Sequence, residues 1–367
     1  MVNPGPTLTI KDLKTRAVRV PMNRALATSS GKMSEAPLVL IDLETNEGVT
    51  GHAYLFCYHP MTASMMQRVL AESLELVRGN QVAPADLADK LLGRFMLLGN
   101  QGIIGMALSG FDVACWDALA KSADMPLYKL LGGEVDRVKT YNSKGMSLMG
   151  MDALAKEAVD LLGEGFKALK LRLGYPTWQE DIEAVRAGRN VIPADTPLMT
   201  DYNQSLSVDE AVIRGRALDA EDITWIEEPI AHDDHIGCAY VAKEVETPIQ
   251  IGENFRNLND MKSAIHLRAA DFVMPDLQRI GGVTGWLAAA ALAESENTLM
   301  SSHLFPEVSA HLMTVTPTAH WLEFVDWGAP VMAEPMVVED GYAIISNRPG
   351  TGVTWNEDAV ARYPTID

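Results

Sequence analysis

Basic charge, cysteine and long apolar runs are all scarce in this chain. Lysine and arginine total 30 against 49 acidic residues, a formal net charge of -19. Nucleic acid and anionic membrane would both repel such a surface, so neither is expected as a partner. The three cysteines, Cys57, Cys115 and Cys238, lie far apart and form no Cys-x-x-Cys pair. That spacing argues against a disulfide framework or a zinc knuckle and fits a reducing cytoplasm. Met1-Val2-Asn3-Pro4-Gly5-Pro6 lacks a basic segment followed by an apolar run, so no signal peptide is expected. No apolar run reads as long enough to cross a membrane. What the chain does hold is 367 residues at 47% hydrophobic, enough for one large domain and a smaller one. The 19 methionines read as core filler.

The chain begins as strands and continues as helices. Residues 8–21 alternate apolar and polar positions, as a half-buried strand does. Residues 22–36 are small and polar and predict a flexible loop. Pro37–Thr45 and Val49–Phe56 predict two more strands, joined by the turn Asn46-Glu47-Gly48. Met61–Arg78 and Ala85–Gly99 have helical amphipathicity, and Ile103–Ala123 is a longer helix with small residues on one face for close packing. Residues 1–134 are therefore expected to form an α+β unit.

From residue 135 the texture changes to short apolar strands alternating with amphipathic helices. Strands are expected at Lys139–Lys144, Ala168–Leu173, Leu198–Tyr202, Ile223–Ile226, Ile249–Gly252, Phe272–Met274, Leu299–Ser302 and Trp321–Val325. Seven helical intervals separate them at a period of about 20–30 residues, the pattern of a parallel β/α barrel over 135–326. No eighth helix follows the last strand. Residues 327–367 read as loops and short strands that pack back on the N-terminal unit.

Such a barrel keeps its chemistry at the carboxyl ends of the strands. In strand order those ends carry Ser143; Lys170 and Arg172; Asp201 and Asn203; Glu227; Glu253 and Asn254; Asp276; His303; and Glu323. Asp201, Glu227 and Glu253 come from three consecutive strands. Converging carboxylates without a cation repel one another, and an all-oxygen set favours magnesium over zinc. In Thr224-Trp225-Ile226-Glu227-Glu228-Pro229 this gives Glu227 to the metal and leaves Glu228 a structural partner. Lys170 and Arg172 are two apart on one strand and face the mouth together. Asp276 beside His303 can fix its tautomer and raise its pKa, which makes a general base. Glu323, if protonated, could hydrogen-bond a developing oxyanion. Gly281-Gly282-Val283-Thr284-Gly285 lacks phosphate-loop spacing and reads as a tight strand-to-helix turn. His232-Asp233-Asp234-His235 reads as a solvated loop.

At this point the sequence resembles a known family. Asp201-Tyr202-Asn203-Gln204-Ser205-Leu206, Thr224–Pro229, Gly252-Glu253-Asn254, Gly281–Trp286, Ser301-Ser302-His303-Leu304-Phe305 and Thr316–Glu323 are similar to motifs of the enolase superfamily, mandelate racemase group. So are Gly174-Tyr175-Pro176 and the tail segment Arg348–Val353. The resemblance implies a modified (β/α)7β barrel under an N-terminal capping domain, which accounts for the missing eighth helix. It implies Mg²⁺ on Asp201, Glu227 and Glu253, and a small carboxylate substrate whose α-proton is removed to leave an enediolate. Lys170 and Glu323 then match groups that contact the substrate carboxylate, Asp276 and His303 the dyad base, and Asn203 a polar neighbour of the substrate. Ser143 is a further expected contact. Relatives often form symmetric homo-oligomers.

One departure from the family pattern carries weight. Mandelate racemase has Lys-x-Lys on the second strand, its second lysine being a base opposite the dyad. Here the motif is Lys170-Leu171-Arg172. Arginine is a poor proton acceptor, so two-base racemisation loses support while one-base dehydration does not. In the family the loop after the first strand sets specificity. Here it holds Asn23, Arg24, Thr28, Ser29, Ser30 and Lys32 and no aromatic residue. A polyhydroxylated or dicarboxylate substrate is expected, with Asn23 and Arg24 in contact. Dehydration of an acid sugar or hydroxydiacid is the first expectation. Racemisation or epimerisation of a 2-hydroxy acid is the second, and a non-catalytic binding protein the third.

Overall fold

Alternation at the start of the chain produces an antiparallel sheet. In the computed structural model, which describes residues 7–28 and 31–366, β1 (Ile10–Thr28) pairs with β2 (Gly31–Thr45), and β2 with β3 (Thr50–Phe56). Residues 22–28 and 31–36 are thus not a loop: they prolong the first hairpin, with Leu26 opposite Met33 and Thr28 opposite Gly31. A register shift between Pro21 and Leu26 interrupts the period-2 signal, and small polar residues conceal the rest. Ser29 and Ser30, like Met1–Pro6, lie outside the described residues.

Helices α1 (Pro60–Val77) and α3 (Ile103–Ser122) back this sheet, and α2 (Pro84–Phe95) and the short α4 (Leu127–Leu130) pack on α3. By length and composition α3 could cross a bilayer, contrary to the sequence expectation, because Asp112, Asp117 and Lys121 break the run only near its middle and end. In the fold most of it is buried. The small face packs as expected: a Cβ on Gly51 would lie 2.0 Å from the Ala114 carbonyl oxygen, and one on Gly110 2.7 Å from Ile41 Cδ1. Gly51 replaced by alanine would push α3 off the sheet, whereas at Gly110 the ends of Ile41 and Leu55 would have to give.

The second sheet is the barrel. Its strands are β4 (Arg137–Asn142), β5 (Leu169–Arg172), β6 (Leu198–Asp201), β7 (Ile226–Glu227), β8 (Ile249–Ile251), β9 (Phe272–Val273), β10 (Leu299–Met300) and β11 (Leu322–Phe324). Neighbours in that order pair in parallel from β4 to β10, and β11 pairs with β4. Ser302 N donating to Trp321 O at 3.0 Å and the parallel bridge Met300–Ala319 close the ring. The intervening helices are α5 (Met151–Leu162), α6 (Trp178–Arg189), α7 (Val208–Leu218), α8 (His235–Glu244), α9 (Leu258–Leu267), the pair α10 (Leu277–Ile280) and α11 (Gly282–Ser295), and α12 (Pro306–Met313). The fold is a (β/α)7β barrel beneath an α+β cap. Gly281 and Gly282 sit at positive φ between α10 and α11, a helix-to-helix corner and not a strand-to-helix turn. His232–His235 leads into α8, where Asp234 caps the helix by accepting from Gly237 N.

The tail divides between the two sheets. β12 (Val337–Glu339) and β13 (Tyr342–Ile344) form a hairpin that adds to β4 antiparallel. Thr351 then donates to the buried Asp117 of α3, Trp355 Nε1 donates to Asp42 Oδ1 at 2.6 Å, and α13 (Glu357–Arg362) pairs with Arg16 through Glu357. The cap is also strapped to the barrel beside β9. Gln278 Oε1 accepts from Phe56 N at 2.9 Å, and Gln278 Nε2 donates to Phe56 O at 3.0 Å. At the other side of the mouth Leu148 N donates to Ala27 O, and Ala27 N to Ser147 Oγ, each at 3.1 Å.

Candidate active site

The parallel register brings Arg172 beside Asp201 and Asp201 beside Glu227, so the strand ends form one rim. Ligand atoms of Asp201, Glu227 and Glu253 lie within 4.8 Å of one another. Asn203, at φ 45°, donates from N and Nδ2 to Asp201 at 2.8 and 3.0 Å. Trp225 Nε1 donates to Glu227 Oε2 at 3.1 Å. Asn254 Nδ2 reaches Glu253 Oε1 and Glu228 Oε2, both at 3.0 Å. Glu228 also accepts from Gly252 N, so it braces the β8 turn, and burial with Glu253 nearby pushes its carboxyl up to about 8.

Lys170 is fully enclosed. Its ammonium is 3.1 Å from Asp201 Oδ2 and 2.9 Å from Glu323 Oε1, and it also bonds Glu227 Oε1. Burial disfavours the charge, but these acids outweigh it and raise the Lys170 pKa well above normal. Burial, with Asp201, Glu323 and Glu253 close by, raises Glu227 well above the carboxylate range against the pull of Lys170. A carboxylate so disfavoured as an anion is one that a further cation would relieve, and the all-oxygen donor set suits a hard divalent ion. The three acids therefore fit a metal.

The dyad is present. His303 Nδ1 lies 2.7 Å from Asp276 Oδ2, whose other oxygen accepts from Arg279 N at 3.0 Å. His303 Nε2 faces Glu253 Oε2 at 3.4 Å and Glu323 Oε2 at 3.8 Å. Burial lowers the His303 pKa, but Glu253, Glu323 and Asp276 overcome it and raise the value to about 9. Glu323 differs from expectation. Burial pushes its carboxyl up, yet Lys170, His303 and the Leu304 N–H together hold it well below the ordinary range. It is a carboxylate here and not a neutral donor.

Arg172 donates from Nη1 to Gly145 O at 3.0 Å and from Nη2 to Ser143 O and Oγ at 3.1 and 3.2 Å. Ser143 thus anchors Arg172 from behind and does not line the cavity. The cavity, about 280 Å³, is walled by Lys170, Arg172, Asp201, Asn203, Glu253, His303 and Glu323 below. Above, the cap supplies Leu26, Thr28, Met33, Phe56 and Tyr58, and the barrel adds Trp327 and Arg279. Asn23 and Arg24 are not among its walls. Asn23 donates to Asp326, and Arg24 pairs with Glu157 and Glu164 at 3.3 and 2.9 Å. Acidic neighbours hold both side chains outside the cavity walls. Sequence reasoning also missed Arg279, Tyr58 and Trp327. Arg279 stands three residues past a strand-tip acid, a spacing that could have flagged it.

The family profile described as mandelate racemase / muconate lactonizing enzyme, N-terminal domain, matches residues 10–132, and the enolase C-terminal domain-like profile matches residues 153–359. The chain belongs to the mandelate racemase group of the enolase superfamily. This enolase-superfamily chain is 32% identical to the 3,6-anhydro-alpha-L-galactonate cycloisomerase of Streptomyces coelicolor, over 96% of this chain and 99% of that one. It is 32% identical to the L-talarate/galactarate dehydratase of Salmonella typhimurium, covering 89% and 82%. Among solved structures, an enolase from Bradyrhizobium complexed with magnesium and mandelic acid superposes with TM-score 0.93 at 39% identity, covering 100% of both chains. An enolase from the alpha-proteobacterium bal199 with bound magnesium superposes at TM-score 0.95 and 42% identity, covering 97% and 99%.

Proposed function

We propose that this enzyme removes the α-proton of a polar 2-hydroxycarboxylate and then expels the β-hydroxyl, the dehydration of an acid sugar or hydroxydiacid. The observation that carries this reading is that, among the described nitrogen groups of the cavity, His303 alone is placed to accept a proton. Lys170 is held as an ammonium by three acids, and Arg172 is clamped to Gly145 and Ser143. His303, oriented by Asp276, remains. Magnesium, held by Asp201, Glu227 and Glu253, would supply a hard positive charge that binds the substrate carboxylate and steadies the charge that builds on it. His303 Nε2 takes the α-proton, and the C–H electron pair moves into an enediolate. That pair then forms the carbon–carbon double bond as the β-carbon–oxygen bond breaks. The departing hydroxyl takes the proton from the His303 imidazolium and leaves as water. The remaining enol ketonises to a 2-keto-3-deoxy acid. Lys170 adds a fixed positive charge beside the carboxylate, and Asp276 keeps the proton-accepting nitrogen of His303 toward the cavity. The acidic surface and three unpaired, buried cysteines suit a small-molecule enzyme of the reducing cytoplasm, and a symmetric homo-oligomer is the assembly we favour.

A second reading has its own support. Leu26, Met33, Phe56 and Trp327 give the upper cavity an apolar side, and the Bradyrhizobium relative holds mandelic acid. Racemisation or epimerisation of a less polar 2-hydroxy acid is the alternative. The deciding experiment incubates acid sugars and 2-hydroxy acids with enzyme and Mg²⁺ in D₂O. A 2-keto-3-deoxy product supports dehydration, and α-deuteration with inversion and no water loss refutes it. His303→Asn should slow α-proton removal at least about 10³-fold while magnesium binding survives.

A further inference from the structure

Three cations line the cavity: Lys170, Arg172 and Arg279. The first two are engaged, Lys170 by three acids and Arg172 by backbone carbonyls and Ser143. Arg279 differs. Among the described residues it has no carboxylate within 4.0 Å; its side chain bonds Tyr58, and its buried Nε, like that of Arg172, has no hydrogen-bond partner. Its guanidinium carbon lies 4.9 Å from the centre of the Tyr58 ring, and its side chain also bonds that residue, so Tyr58 holds it in place. Its backbone is fixed as well, since Arg279 N donates to Asp276, the acid that orients His303. Tyr58 is held from the other side by the Gln278 strap on its neighbour Phe56.

The ring order gives Arg279 its place. Arg172 ends β5, and Arg279 follows β9, four strands farther round a closed ring of eight. The two guanidiniums therefore approach the mouth from opposite sides, with the acid rim between them. A partly buried guanidinium with no carboxylate paired to it can still take one from a ligand. Its planar fork matches a carboxylate.

We infer that Arg279, stacked on Tyr58, is the receptor for a second carboxylate at the far end of the substrate, so that the enzyme selects hydroxydiacids over hydroxymonoacids. This rests on the proposed function for the near carboxylate but is tested without turnover. Arg279 is a specificity residue, and removing it leaves the acids and His303 in place.

The test is calorimetric binding to the magnesium-loaded enzyme of two unreactive ligands, a 2-hydroxydiacid lacking an abstractable α-proton and the monoacid of the same length. The wild type should bind the diacid roughly 10- to 100-fold tighter, the range of a charge-assisted hydrogen-bonded pair. Arg279→Met should erase that preference and leave monoacid affinity within about twofold, while Arg279→Lys should keep part of it. Tyr58→Ala, which removes both the ring and its hydrogen bond to Arg279, should weaken diacid binding and spare the monoacid. A wild type without diacid preference, or an Arg279→Met enzyme that retains it, overturns the inference. So does equal weakening of both ligands, which would mark Arg279 as a support for Asp276 alone. Preference in binding without any α-proton exchange would sustain this inference while defeating the proposed reaction.

Discussion

Replacing Gln278 by leucine tests whether the cap is held in register by one side chain. Gln278 is 2% exposed, and both of its amide atoms are spent on the backbone of Phe56, itself 2% exposed. Gln278→Leu keeps the volume and orphans a buried N–H and a buried C=O. Each orphan costs about 1–3 kcal/mol, and the leucine recovers a little by apolar burial, so a loss of about 2–5 kcal/mol is expected. Urea unfolding followed by tryptophan fluorescence reads it directly. With a slope of about 3 kcal/mol/M, the first transition should move down by roughly 1 M at unchanged slope. Activity should fall through KM, because Phe56 and Tyr58 wall the cavity while Gln278 bonds none of the acids or His303. Magnesium affinity should not change. A midpoint shift below about 0.2 M, or normal KM in a clearly destabilised protein, would show that the strap neither holds the cap nor shapes the site.

Two further predictions concern the reacting groups. His303 must be neutral to accept a proton, and Glu253, Glu323 and Asp276 raise its pKa to about 9 against burial. A cation on Glu253 withdraws that acid's share, so with Mg²⁺ bound kcat/KM should fall as pH drops through a single ionisation between 6.5 and about 9. A profile flat from about pH 5 to pH 9 would exclude His303 as the base. Arg172→Ala should slow turnover about 10- to 100-fold through lost charge, with α-exchange unchanged in its stereochemical course. Exchange lost from one enantiomer alone, read by deuterium NMR, would make Arg172 a second base.

The barrel and its rim were legible because repetition exposes them. Each strand is a short apolar run, and a chemically distinctive residue recurs at the same place in each repeat, from Lys170 to Glu323. No single local signal would have sufficed: β7 and β10 are two residues each. What was not legible depends on partners distant in sequence. The hairpin arms 22–28 and 31–36 read as loop because their order comes from cross-strand pairing and from Leu148 and Ser147, more than a hundred residues away. Arg24 looks like a substrate contact until Glu157 and Glu164 are seen to hold it. The charge state of Glu323 follows from Lys170 and His303, which only the closed ring brings together.

The ammonium of Lys170 among the acids has a consequence for the life of the protein. A site built to receive a divalent ion would ordinarily be a knot of mutual repulsion in the newly made chain. Here a tethered cation already bonds Asp201, Glu227 and Glu323. The barrel can therefore close on its own side chain before any ion arrives. Small zinc domains must instead acquire their ion in order to fold. Here loss of the ion should cost activity and leave the barrel folded.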